Sequence, residues 1–97
     1  MDATIRQQIM FLLRERELEV RDLSVLLSIP EKEVYPHLEH IARSLAREGS
    51  RLAIRPSQCL ACGFVFKERH RFTRPGRCPA CHATRIRPPA YRIESPG

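Results

Sequence analysis

The first half of the chain carries apolar residues at helical spacing. Residues 2–16 place four apolar side chains at i, i+4, i+7 and i+8, namely Ile5, Ile9, Leu12 and Leu13. Polar residues separate them, so this pattern predicts an amphipathic first helix. A shorter apolar segment runs over Val20–Leu27 and predicts a second helix. Because proline disfavours helical geometry in the residue before it, Pro30 predicts the end of this second helix.

A third apolar stripe follows within residues 31–48 and consists of Val34, Leu38, Ile41 and Leu45. Gly49 directly after it is suited to the conformation that ends many helices. Pro36 lies inside the segment and lacks a backbone N–H, which predicts a kink or a helix that starts near Pro36 itself. This order, a helix, a short helix, a tight turn and a longer helix, is typical of a helix-turn-helix. A plain three-helix bundle would give the same apolar stripes.

From residue 50 onward the apolar period changes from 3.6 to 2. Leu52 and Ile54 alternate with charged or small residues, and so do Tyr91 and Ile93 near the end. These two strands are expected to pair antiparallel as the wing of a winged helix, with the intervening segment inserted between them. The predicted organisation has three parts: residues 1–55 as helical core and first wing strand, 56–90 as the insertion, and 91–97 as closing strand and tail.

The insertion contains every cysteine of the chain, as two CxxC pairs separated by fifteen residues: Cys59, Cys62, Cys78 and Cys81. Two such turns direct four thiolates toward one ion and complete a tetrahedral S4 shell. Disulfides are disfavoured because the opening residues lack the apolar segment of a secretory signal. A thioredoxin-like redox pair would begin a helix, whereas these pairs lie in turns rich in Pro and Gly. The sequence therefore predicts a structural metal site.

Length and charge narrow the functional classes. A chain of 97 residues can bury only a small hydrophobic core, and a bound metal commonly adds to the stability of such a fold. The net charge is +6, and it is distributed unevenly. Residues 1–50 carry seven Lys/Arg and nine Asp/Glu, a net charge of −2, whereas residues 51–97 carry ten and two, a net charge of +8. The basic second half favours a polyanionic partner, most commonly nucleic acid. No apolar run is long enough for a membrane helix.

Nearly the whole chain resembles predicted prokaryotic transcriptional regulators in which a winged helix-turn-helix holds a rubredoxin-like zinc ribbon within its wing. The stretch VRDLSVLLSIPEKEVYPHLEHIARSL is similar to a helix-turn-helix core, and CLACGFVF and CPAC look like rubredoxin-type knuckles. The resemblance implies an α+β fold, a three-helix winged helix-turn-helix with the ribbon inserted in the β wing. It also implies one Zn²⁺ held by Cys59, Cys62, Cys78 and Cys81, and binding to double-stranded DNA. Iron is an alternative metal, since S4 geometry does not distinguish the two.

Two groups of side chains are candidate DNA contacts. The third helix offers four residues away from its apolar stripe: His37, His40, Arg43 and Arg47. The wing and insertion offer a denser basic set, consisting of Arg51, Arg55, Lys67, Arg69, Arg71, Arg74, Arg77, Arg85 and Arg87. Arginine suits phosphate because its planar guanidinium donates in a fork. The competing interpretation is a solvated basic exterior, with the arginines of the third helix placed to favour its C-terminal dipole.

The leading hypothesis is a cytoplasmic winged-helix regulator that contacts DNA phosphates mainly through its wing and ribbon. A closed S4 site leaves no position for a reacting water, and no nucleophile is paired with a base, so no enzyme activity and no small-molecule substrate are predicted. One alternative is a protein-interaction adaptor, which the acidic residues Glu31 and Glu33 at the start of the third helix favour over base reading. Another is an iron-binding electron-transfer module. A homodimer through the first helix, with Met10 and Phe11, is a further expectation.

Overall fold

The computed structural model describes residues 4–67, 72 and 74–95, and within them the chain forms a mixed α+β structure. Three helices precede most of the strands. In chain order the elements are α1 (Ile5–Glu15), β1 (Leu18–Glu19), α2 (Val20–Leu27), α3 (Glu31–Arg47), β2 (Arg51–Arg55), β3 (Gln58–Cys59), β4 (Ile86–Arg87) and β5 (Ala90–Glu94). None of the helices in these ranges combines the length and apolar character that a membrane crossing requires.

The three predicted helices are confirmed, and their ends have local causes. Helix α1 begins after Thr4, whose hydroxyl accepts from the N–H of Gln7 while the Gln7 side chain accepts from the N–H of Thr4. Helix α3 ends in a Schellman arrangement, in which the N–H of Ser50 donates to the carbonyl of Leu45 and Gly49 has φ +76°. Of the two effects expected of Pro36, a kink or a later start, the later start is wrong, because the helix begins at Glu31 and contains Pro36.

The strands form two small antiparallel sheets. The first has the order β1-β5-β2, so the last strand of the chain lies between the other two. Strands β2 and β5 pair as the period-2 pattern predicts, with Leu52 opposite Ile93 and Ile54 opposite Tyr91. Strands β3 and β4 form the second sheet inside the insertion. The two-residue strands β1, β3 and β4 were not predicted from the sequence.

The main core lies between the helices and one face of the three-stranded sheet. Its residues include the complete stripe of α3, with Val34, Leu38, Ile41 and Leu45 all fully buried. Tyr91 of β5 is also fully buried in this core. A second, separate cluster holds Cys59, Cys78 and Ile86 of the insertion. The insertion therefore has a small core of its own beside the metal ligands.

Among the described residues, Tyr91 contacts the insertion directly, and Arg55 ties together the strands at its base. The ring of Phe72 meets the ring of Tyr91 edge to face at a centroid distance of 5.7 Å, and the Tyr91 hydroxyl donates to the Phe72 carbonyl. At the root of the insertion, Arg55 crosses the buried Ala90 to reach Glu19 on the far strand at 3.3 Å. The same guanidinium donates to Glu17 at 3.2 Å.

Candidate metal centre

The four cysteines lie on two hairpin turns that face each other. Strand β3 delivers Cys59 into the first turn, and the second turn, with Cys78 and Cys81, leads back to β4. Cys59 and Cys78 are buried, whereas Cys62 and Cys81 are exposed. Each turn thus contributes one inner and one outer sulfur, and the site lies at the edge of the small ribbon sheet.

The spacing of the sulfurs fits one tetrahedral cation. All four Sγ atoms lie within 4.8 Å of one another, with Cys59 to Cys81 at 3.5 Å and Cys62 to Cys78 at 3.6 Å. Four sulfurs bound at about 2.3 Å around one ion would be about 3.8 Å apart. A disulfide would need about 2.05 Å, and all four cysteines are free. The predicted ligand set is therefore brought together as a zinc-ribbon-like site, consistent with a metal ion.

Backbone amides point at the sulfurs in the same way in both turns. The N–H of Ala61 donates to Cys59 Sγ at 3.4 Å, and the N–H of Ala80 donates to Cys78 Sγ at 3.4 Å. Such N–H···S bonds orient thiolate ligands and spread their negative charge. Sequence inspection identified the four ligands but not these two alanines, since any residue supplies the same backbone N–H.

The two turns also share one backbone conformation. The N–H of Gly63 donates to the carbonyl of Cys59 at 2.9 Å, and the N–H of His82 donates to that of Cys78 at 2.9 Å. Both donors are in the left-handed region, with φ +84° at Gly63 and +64° at His82. Glycine adopts this conformation freely, whereas histidine bears a steric cost there. His82 is therefore the conformational counterpart of Gly63, and it is not among the clustered sulfur ligands.

The surroundings of Cys59 and Cys62 shift the pKa values of these two thiols in opposite directions. The backbone N–H of Cys62 is the main cause that lowers the pKa of Cys59 to about 6. For Cys62, the N–H of Phe64 lowers the pKa, but the neighbouring thiols and burial outweigh it and raise the pKa to about 12. Repulsion between the negatively charged sulfurs therefore opposes ionisation of all four thiols unless a positive charge lies between them. A divalent cation supplies that charge, so the donor set fits a metal.

The candidate DNA contacts lie on α3, on β2 and in the insertion, and the geometry does not test them, so they stay predictions. On α3, His40, Arg43 and Arg47 are exposed, whereas His37 is half-buried and its Nδ1 is buried without a partner among the described residues. On β2, Arg51 pairs with Glu94 at 3.0 Å.

The other basic candidates differ in solvent exposure and in whether they form ion pairs. Arg55 is engaged by two carboxylates and by the carbonyl of Pro88 at 3.4 Å. Arg87 is half-buried in β4. Within the described part of the insertion, four basic side chains are exposed: Lys67, Arg74, Arg77 and Arg85. Arg69 and Arg71 lie outside the described residues.

The fold and this site define a class, small α+β proteins that carry a rubredoxin-like zinc ribbon. Residues 4–53 match the family model described as PF0610-like, N-terminal, and residues 56–96 match the PF0610 rubredoxin-like zinc beta-ribbon domain. The chain belongs to the PF0610-like family.

A solved structure supports the same assignment. The solution NMR structure of protein PF0610 from Pyrococcus furiosus superimposes with a TM-score of 0.82 at 34% sequence identity. The match covers 99% of this chain and 93% of that protein. A comparison with curated proteins gives no match. The predicted rubredoxin-like zinc ribbon is thus confirmed, and the helical part matches a PF0610-like N-terminal domain.

Proposed function

We propose that the chain is a zinc-stabilised winged-helix protein that binds double-stranded DNA and acts as a transcriptional regulator. Contacts to phosphates come mainly from the basic wing and ribbon. The zinc ion is a scaffold, because a shell of four sulfurs leaves no position for a reacting water. Free thiols of this kind suit a reducing compartment such as the cytoplasm.

The order of elements supports the winged-helix assignment. The chain has three helices, with a tight turn between α2 and α3, and a sheet with the order β1-β5-β2. The β2–β5 ribbon therefore lies beside the end of α3. In a helix-turn-helix the third helix approaches the major groove and the flanking ribbon approaches the backbone. Exposed His40, Arg43 and Arg47 would then add to the basic surface of the insertion.

The observation that carries the proposal is exposed and unpaired positive charge on the insertion. Lys67, Arg74, Arg77 and Arg85 are exposed, and none of them forms an ion pair with another described residue. Arginine left without an internal carboxylate remains available for bidentate contact with phosphate.

A salt-titrated binding assay tests the proposal. Fluorescence anisotropy with a labelled random duplex should give an affinity that falls by about 0.9 log units per log unit of salt for each phosphate contacted. Replacing Arg77 and Arg85 with Gln should reduce that slope by about 1.8 if both contact phosphate.

The matched control removes two exposed arginines at the end of α1, by Arg14→Gln and Arg16→Gln. It changes the net charge equally but leaves the insertion intact, so its slope should match that of the unaltered protein. Equal slopes for all three proteins, or no binding at low salt, would remove the proposal.

A second candidate function, a protein-interaction adaptor, is favoured by exposed apolar side chains. Phe11 is 63% exposed, Val25 70% and Leu26 48%, on α1 and α2. Exposed apolar groups of this size are common at protein interfaces. A defined partner recovered by pull-down after nuclease treatment would favour the adaptor, and a two-fold mass by light scattering would favour a homodimer.

A third candidate is electron transfer through iron, and the identity of the metal separates it from the proposal. Zinc has no accessible redox change, whereas iron in an S4 site absorbs visible light and bleaches on reduction. Elemental analysis of the purified chain, with an absorption spectrum before and after dithionite, separates the two. We expect one zinc per chain and no visible band.

A further inference from the structure

A cavity of about 630 Å³ lies where the helices meet the insertion. Helix α2 contributes Val20 and Arg21, and helix α3 contributes Glu31 and Tyr35. We call it the helix–ribbon cleft. Its volume falls in the range of about 300–1,000 Å³ that is typical of small-molecule sites.

The insertion contributes three apolar side chains to the lining of the cleft, Phe72, Pro88 and Pro89, together with Arg74. Tyr35 of α3 also lines it. The Phe72 ring is held by its edge-to-face contact with Tyr91, and its carbonyl by the Tyr91 hydroxyl. Prolines lose no further side-chain freedom on binding. Two aromatic rings and two prolines therefore offer an apolar surface to a planar group.

Only some of the polar groups at the cleft are available to a ligand. Glu19 lines it, but its carboxylate caps helix α2 and pairs with Arg55. Arg21, Arg74 and Glu31 are exposed and form neither an ion pair nor a side-chain hydrogen bond with another described residue. Among the described lining residues, the available charges are thus two guanidinium groups and one carboxylate.

Two of these charges, Glu31 and Arg74, lie close enough to Tyr35 to act on its hydroxyl. Burial and the Glu31 carboxylate raise the pKa of Tyr35, and the Arg74 guanidinium acts in the opposite direction. The Arg74 guanidinium can bind an anionic group of a ligand, whereas the Glu31 carboxylate requires an N–H donor from the ligand. A simple aromatic acid satisfies the arginine but leaves Glu31 without a donor.

We propose that the helix–ribbon cleft binds a nucleoside monophosphate. The planar base lies against Tyr35 and Phe72, an N–H group of the base donates to Glu31, and the phosphate accepts from Arg21 and Arg74. The proposal concerns a small ligand and does not depend on binding of duplex DNA.

The experiment uses the full zinc-loaded chain and follows amide shifts in ¹H–¹⁵N NMR spectra during titration with AMP and GMP. Saturable shifts should centre on Arg21, Tyr35 and Arg74. Tyrosine fluorescence gives a second readout, because the chain has no tryptophan and Tyr91 is buried away from solvent. A cobalt-loaded sample with an unchanged thiolate spectrum verifies that the nucleotide does not remove the metal.

Variants and analogues test each part of the recognition. Arg21→Gln should weaken binding of the nucleotide about tenfold or more, the effect of one charge-assisted hydrogen bond. Arg92→Gln, an exposed arginine of β5 outside the cleft, should leave affinity unchanged. Adenosine, which has no phosphate, and benzoate, which has no donor for Glu31, should each bind at least about tenfold more weakly than AMP.

Three outcomes would overturn the proposal. The first is no saturable shift at millimolar AMP or GMP. The second is inorganic phosphate or benzoate binding as well as the nucleotides. The third is equal weakening by Arg21→Gln and Arg92→Gln. Arg21 is not among the proposed DNA contacts, so loss of nucleotide binding with unchanged DNA affinity separates this site from the proposed function.

Discussion

The matched turns of the metal centre permit a prediction in which two substitutions act in opposite directions. Gly63 and His82 occupy equivalent positions with positive φ, and both donate to the carbonyl of the first cysteine in their turn. A Cβ atom at Gly63 would meet no other atom within 4 Å. The effect of Gly63→Ala is therefore confined to the backbone conformation.

The magnitudes follow from two opposing effects. A non-glycine residue in the left-handed region costs about 1–2 kcal/mol, and loss of glycine from the unfolded chain returns about 0.4–1 kcal/mol. Gly63→Ala should thus destabilise the ribbon by about 1 kcal/mol. His82→Gly should instead stabilise the ribbon, because both effects change sign. The gain is about 0.5 kcal/mol, since histidine tolerates the left-handed region better than most residues.

Metal affinity reports these changes, because folding of a ribbon and binding of its metal are coupled. Competition with a chromophoric zinc chelator at neutral pH should show affinity about fivefold lower for Gly63→Ala and about twofold higher for His82→Gly. Gly76→Ala is the matched control, since Gly76 lies in the ribbon with a negative φ and open space at its Cβ. Affinities that shift in the same direction for Gly63→Ala and His82→Gly would refute the equivalence of the two turns.

Three further predictions concern the connection of the ribbon to the core. Burial raises the pKa of Tyr91, so the unfolded chain releases this proton first, near pH 10, and stability should fall by about 1.4 kcal/mol per pH unit above that point. Tyr91→Phe should lose about 1 kcal/mol at neutral pH but show a shallower alkaline decline in urea unfolding. Arg55→Lys should lower the free energy of unfolding by about 0.5–1 kcal/mol at low salt and less at high salt, because its pair with Glu19 is partly exposed. Replacing Cys59 and Cys62 with Ser should abolish the metal-dependent fold of the ribbon while circular dichroism retains most of the helical signal, and a complete loss of that signal would show one cooperative unit.

The helices and the metal ligands were predictable because their signals are local. The stripe of Val34, Leu38, Ile41 and Leu45 repeats with the period of one helix, and all four side chains are fully buried. The CxxC spacing likewise determines where the sulfurs can turn. Of the two effects expected of Pro36, the delayed start does not occur, because the buried stripe on both sides of Pro36 outweighs the single backbone hydrogen bond that the proline removes.

The features that the sequence did not predict depend on partners far along the chain. Strand β1 is two residues long and exists through pairing with Tyr91 and Ala90. The contact of Phe72 with Tyr91 joins the insertion to a core whose other members lie mostly in the helices. No periodicity within a short window contains such information, because it arises only when the sheet has formed.

The pairing of Arg55 with Ala90 has a consequence for how this protein could be rebuilt. These two residues face each other at the end of the β2–β5 ladder, so the first and last residues of the segment 56–89 emerge side by side, with Cα atoms of the pair about 5 Å apart. That is the geometry of an ordinary hairpin, and a two-residue turn could close it without changing the register. We therefore expect the whole ribbon to be exchangeable as a unit, provided that the replacement supplies one aromatic side chain to cover Tyr91.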